Sequence, residues 1–95
     1  MSVEADIEAE FVEYAEARGC IPLKLVIQGK RGWPDRTVLC PGGKILFLEF
    51  KRPDGKLSRQ QQHYINLLRV KGFKIYVTYT VKDAARILDR ILAGD

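Results

Sequence analysis

Long apolar runs are missing from this chain. Its longest uninterrupted stretch of aliphatic and aromatic residues is about four, around Ile45–Leu48, against the ~20 that a bilayer-spanning helix needs. No signal peptide is expected either, because Met1 to Asp6 is acidic and lacks the basic start and apolar block of one. Cysteine is scarce. Cys20 and Cys40 form no CxxC and no zinc-ligand set, which excludes a disulfide scaffold and a structural zinc site and points to reduced thiols in an intracellular protein. No internal repeat, low-complexity tract or linker interrupts the 95 residues, so residues 1–95 read as a single domain. A chain of this size buries a little over ~60% of its unfolded surface, enough for one modest core without staples. With 46% hydrophobic and 29% charged residues, disorder is excluded as the main state.

What is present is an uneven charge. The net +4 conceals six acids against one base in residues 1–19, and fifteen bases against six acids in residues 20–95. A basic body suits a polyanionic partner such as nucleic acid, though a well-solvated surface would carry the same charge.

Periodicity gives the elements. Val3, Ile7, Phe11, Tyr14 and Ala15 recur at helical spacing, and Gly19 is placed to cap the helix. Leu23–Gln28 is a short β-prone run, followed by a glycine-bearing basic loop over 28–33. Two strand-like runs, Asp35–Cys40 and Lys44–Lys51, flank Pro41-Gly42-Gly43 and predict a hairpin. Pro53-Asp54-Gly55 breaks the second run. Ser58 opens a helix to about Val70, with Gly72 as its stop; Lys74–Thr80 is a strand; and a last helix starts at Thr80 or Val81 with Ala84, Ile87, Leu88, Ile91 and Leu92 inward. The fold class is α/β, a mixed β-sheet flanked by helices in the order αβββαβα.

The hairpin concentrates the chemistry. A three-residue turn at 41–43 pairs Cys40 with Lys44 and, counting back in antiparallel register, sets Asp35 opposite Glu49; one residue of slippage would put Phe50 there instead. Directly opposed residues have Cβ atoms ~4.5–5.5 Å apart, and two carboxylates that close repel each other unless a cation lies between them. Alternation puts Lys51 on the same face as Glu49, while Leu46, Leu48 and Phe50 form an apolar inner face. Hard oxygen ligands suit Mg²⁺ or Mn²⁺, and a nearby lysine can orient or deprotonate an attacking water. An exposed cross-strand salt bridge from Glu49 to Lys51 or Arg36 is the plainer account of the same spacing.

The wider pattern adds to this. Pro34-Asp35 followed by Glu49-Phe50-Lys51 resembles the PD-(D/E)XK nuclease signature, and the element order resembles that superfamily's restriction-endonuclease-like core. More narrowly, Gly32-Trp33-Pro34-Asp35-Arg36, Pro41-Gly42-Gly43-Lys44, Phe47-Leu48-Glu49-Phe50-Lys51-Arg52-Pro53 and Gln61 resemble the VRR-NUC family, from about Ile7 to Leu92. The resemblance implies metal-dependent hydrolysis of a phosphodiester bond in DNA. Asp35 and Glu49 would be the metal-ligating acids, the Phe50 carbonyl a further ligand, and Lys51 the catalytic lysine. It also implies a glutamate from the first helix, which aligns with Glu8. Glu4 and Glu10 lie on the same helix flanks, and all six helix acids could form a solvated face.

Gln61 admits two readings. Ser58-Arg59-Gln60-Gln61 fits a capping box, while the family match makes Gln61 an active-site helper that holds a ligating carboxylate or water. Lys24 matches a family lysine that touches phosphate, or is an ordinary edge-strand charge. Lys30, Arg31 and Arg36 surround Gly29 and Gly32 as a basic loop suited to phosphate-backbone contact. Trp33 fits packing better than stacking on a base. His63 has no partners for a metal site or triad, and Gly42-Gly43-Lys44 lacks the flanking residues of a P-loop.

The expectation is a divalent-metal-dependent (Mg²⁺ or Mn²⁺) DNA endonuclease of phage or bacterial type, without a small-molecule cofactor or a membrane partner. Branched DNA, with four-way junctions first, and a homodimer are expected from the resemblance and from the small footprint of one such domain. The rival reading is a nucleic-acid-binding module of the same fold that does not cut.

Overall fold

The computed structural model describes residues 3–94. Helix α1 (Val3–Ala17) leads into strand β1 (Ile21–Leu23), the hairpin of β2 (Arg36–Cys40) and β3 (Lys44–Phe50), helix α2 (Arg59–Val70), strand β4 (Lys74–Thr78) and helix α3 (Val81–Leu92). The sheet order is β1-β2-β3-β4, with β1 and β2 antiparallel to their neighbours and β4 parallel to β3. This is the mixed sheet and element order that the periodicity predicts. No described helix is long and apolar enough to cross a membrane.

Alternation along β3 divides the core in two. Leu46, Leu48 and Phe50 point to one face, where they pack with Phe11 and Ala15 of α1 and Ala84, Leu88 and Ile91 of α3. Phe47 points to the other face and packs with Ile65 and Leu68 of α2 and Ile75 of β4. Each face is therefore covered, α1 and α3 on one side and α2 on the other. The α2 side is covered over only part of the sheet, and Ile21 and Leu39, register partners at the β1 edge, remain exposed.

The hairpin turn spans Pro41–Gly43, with Gly42 at φ 83° and Gly43 at φ 76°, conformations open to glycine and costly for other residues. Cys40 pairs with Lys44 and Arg36 with Leu48, the register expected of a three-residue turn. Cys20 and Cys40 are both buried and free. Burial, and then the neighbouring Cys20, push the Cys40 thiol up to about 12, so it stays protonated.

One element differs from its prediction. The first strand is Ile21–Leu23, whereas the β-prone run at 23–28 is irregular beyond its first residue. The reason lies in β2. Leu23 pairs with Thr37, one residue from the start of that strand, and no partner remains for Leu25 or Val26, the latter 91% exposed. Strand propensity without a ladder to join does not make a strand.

Candidate active site

The β2–β3 ladder ends at Arg36 and Leu48. Beyond it the Asp35 carboxylate takes the place of a strand partner: Oδ2 accepts a hydrogen bond from the Phe50 amide at 2.8 Å. The next amide, Lys51, turns the other way and donates to the Thr78 carbonyl of β4 at 3.0 Å. Asp35 is thus fixed at the mouth between two strands, beside Glu49, as the register predicts.

Glu49 is only 2% exposed. Burial, and then the Asp35 carboxylate beside it, push its carboxyl up to about 8, against the downward pull of Lys51. A carboxylate is costly to bury, and costlier beside another. What the fold supplies as a direct partner is an amide: Gln61 Nε2 donates to Glu49 Oε2 at 3.1 Å.

The two readings of Gln61 prove compatible. Its Oε1 accepts from the Ser58 amide at 2.8 Å, and its own amide donates to Ser58 Oγ at 3.0 Å, a complete capping box. With Oε1 occupied by an N–H donor, the amide orientation is set and Nε2 is left to face Glu49. The helix cap therefore positions the group that holds the buried acid.

The loop before Asp35 is locked to the same helix turn. Gly32, at φ +93°, lies so close to α2 that a Cβ would sit 2.5 Å from the Gln60 carbonyl carbon and 2.7 Å from the Gln61 nitrogen. Trp33 packs edge-on against Phe47 and Tyr64, with Nε1 donating to Thr37 Oγ1 at 3.2 Å. It is a packing residue. Asp35 and Gln61 are thereby placed relative to each other through Gly32 and Trp33.

Asp35, Glu49, Gln61 and Lys51 are thus gathered at one end of the sheet, with the Phe50 backbone tied to Asp35. Glu8, Lys24 and Arg36 are tied to one another by contacts of their own. Arg36 Nε donates to Glu8 Oε2 at 2.6 Å, Arg36 Nη1 to the Pro22 carbonyl at 3.1 Å, and Lys24 Nζ to Glu8 Oε2 at 3.3 Å. Strand alternation was the available signal. Arg36 lies opposite Leu48, on the α1 side of the sheet, and so turns away from Lys30 and Arg31. Lys24 follows β1 and is largely exposed. Lys30 and Arg31 remain exposed in their loop and line a groove with Arg59, His63 and Tyr64 of α2. Sequence reasoning gave Arg59 and His63 no site role and read Tyr64 only as an apolar residue facing the sheet. Exposed positions such as Arg59 and His63 carry no periodic signal of what loop lies over them.

A divalent ion fits the donor set of Asp35, Glu49 and the Phe50 carbonyl. Two crowded hard-oxygen acids, one pushed far above its ordinary range, are the environment that a small oxygen-seeking cation relieves. No group of three acidic, histidine or cysteine side chains suited to a metal occurs among the described residues, and Mg²⁺ commonly uses only one or two protein carboxylates with water and phosphate completing the shell.

Fold and site mark the chain as one class with the nuclease domains that its hairpin resembles, and comparison with known proteins agrees. The VRR-NUC domain model matches residues 8–82. Over 74 residues, 78% of this chain and 80% of the relative, the chain is 45% identical to "Putative nuclease p44" of Acyrthosiphon pisum secondary endosymbiont phage 1. A solved structure described as a VRR_NUC domain superposes with a TM-score of 0.86 at 27% identity, covering 94% of this chain and 97% of the other. The chain belongs to the VRR-NUC domain family.

Proposed function

We propose that this VRR-NUC domain is a divalent-metal-dependent DNA endonuclease that hydrolyses phosphodiester bonds at Asp35, Glu49 and Lys51. The observation that carries the reading is the forced neighbourhood of Asp35 and Glu49. The hairpin register sets one acid beside the other and the fold buries Glu49 there, and a binding module gains nothing from acids crowded where a phosphate must approach.

Asp35 and Glu49, with the Phe50 carbonyl, would hold Mg²⁺ or Mn²⁺. The ion would supply positive charge at the scissile phosphate and lower the pKa of the attacking water. Lys51 lies close enough to Glu49 to oppose its upward shift. From that position Nζ takes a proton from the nucleophile or offsets charge developing on the phosphoryl oxygens. Gln61 fixes the Glu49 carboxylate so that its free oxygen faces the reaction. Glu8 holds Arg36 and Lys24 through Oε2 alone, so its Oε1 would be the oxygen to join this set as the helix ligand, while Oε2 anchors Arg36, the residue next to Asp35.

Branched DNA is the proposed substrate and a homodimer the proposed working form. The homodimer suits the small footprint of one such domain and the need for paired cuts, and branched DNA is what the family resemblance implies. The test is a cleavage panel of single strand, duplex, flap and four-way junction, with Mg²⁺, Mn²⁺ or EDTA, beside Lys51→Ala. Metal-dependent cutting that Lys51→Ala abolishes is the expected result. Tight binding of every substrate without cutting would replace the nuclease with a non-cleaving nucleic-acid clamp.

A further inference from the structure

The loop over 29–31 and the first two turns of α2 flank an open groove of about 630 Å³. That volume lies within the range of small-ligand sites, roughly 300–1,000 Å³. Three cations line it, Lys30, Arg31 and Arg59, and no acidic side chain does. None of the three forms an ion pair among the described residues. Three positive charges without an ion pair lining one groove favour an anion, and their placement on a loop and a helix facing each other suits phosphate oxygens.

The groove also has an aromatic wall. The His63 and Tyr64 rings meet edge to face, with centroids 5.1 Å apart. Tyr64 is braced from behind by Trp33 at 5.6 Å, and Trp33 in turn by Phe47 at 5.7 Å. This relay of rings runs from the core outward, so the platform is rigid at its root and open at His63. Such a wall offers a stacking surface to a flat heterocycle. Gln60 lines the groove, and the next residue, Gln61, holds Glu49.

We propose that this groove is a subsite for one unpaired nucleotide, with its phosphate held by Lys30, Arg31 and Arg59 and its base stacked on the exposed His63 ring, which Tyr64 supports edge-on. Its position adjoining the scissile phosphate rests on the nuclease reading above. A base within a duplex has both faces covered by its neighbours and cannot use the aromatic wall, whereas an unpaired base can. The subsite therefore selects DNA in which the strand next to the cut is locally single-stranded, and Arg59, His63 and Tyr64 become specificity-determining residues.

The test is fluorescence anisotropy in EDTA, where no hydrolysis intervenes, on a blunt duplex and on the same duplex carrying a single-stranded overhang. The wild type is expected to bind the overhang substrate more tightly. The double variant Arg59→Ala/His63→Ala, exposed at both positions, is expected to lose about fivefold or more on the overhang substrate, the lower end of what one stacked base contributes. It should lose much less on the blunt duplex. Its dependence on salt should also become shallower, by about 0.7 in log–log slope for the single cation removed. His63→Trp, which keeps an aromatic face, should retain the preference. Equal losses on both substrates, or no loss on either, would overturn the subsite. Overhang preference without cleavage in Mg²⁺ would remove the nuclease reading and leave the subsite standing, while cleavage without the preference would do the reverse.

Discussion

Helix α1 and strand β3 each bury a glutamate, and the fold treats the two in opposite ways. Glu8 receives two cations, Arg36 at 2.6 Å and Lys24 at 3.3 Å. Glu49, more deeply buried, receives a second acid and a neutral amide, with Lys51 near enough to offset only part of its shift. A chain selected for stability alone would supply both with counter-charge, since an unpaired buried carboxylate is among the most costly features a core can carry. Glu8 is thus ion-paired on the α1 side of the sheet, while Glu49 has no ion pair among the described residues.

The comparison can be broken most severely at Lys51. Replacing it with alanine should lower cleavage by about 10²- to 10⁴-fold, the usual worth of a positioned proton-transfer group. The fold should be intact by circular dichroism, because Lys51 sits outside both core clusters. An unfolded Lys51→Ala protein would count against its catalytic role.

Exchanging the roles of the two acids comes next. Glu8→Ala leaves the Arg36 guanidinium, 18% exposed, without its carboxylate, and should cost about 3 kcal/mol in denaturant unfolding. Glu49→Gln removes the repulsion with Asp35 and should leave stability unchanged or raised. Gly32→Ala is expected to fall below these in effect. Its Cβ would strike the α2 backbone at a positive φ, costing about 1–3 kcal/mol and reducing turnover through displacement of Gln61 from Glu49.

The most gradual effect is in pH, spread over several units. The Glu49 carboxyl titrates near 8 in the folded chain, against an ordinary value of 4.5. Between those values the folded state holds a proton that the unfolded state has released, so the stabilisation is complete below about 4.5 and is lost as pH rises through about 8. The melting temperature of the metal-free protein should therefore drift downward across that window. Glu49→Gln should flatten the drift.

Much of this arrangement was legible in the chain because it depends on local rules. The Pro41-Gly42-Gly43 turn sets the hairpin register, and register alone puts Asp35 beside Glu49 and Lys51 on the same face as Glu49. Ser58 and Gln61 announce a helix cap from their spacing. What was not legible depends on partners distant in sequence. The run at 23–28 has strand propensity but no strand to meet. Arg36 reads as a loop cation with Lys30 and Arg31 until its pairing with Leu48 turns it towards α1. The amide of Gln61 reads as either cap or site helper until both ends are seen to be engaged. The groove under Lys30 and Arg31 exists only because Gly32 lets the loop touch α2.

Calorimetric titration of Mn²⁺ into the wild type, Glu49→Gln and Glu8→Gln tests the centre of this account most directly. Binding by the wild type and by Glu8→Gln, with affinity lowered more than about tenfold in Glu49→Gln, is the predicted result, a loss at the scale on which even the outer partners of a metal site act. Undiminished binding in Glu49→Gln, or a loss confined to Glu8→Gln, would contradict it and move the metal centre to the α1 side of the sheet.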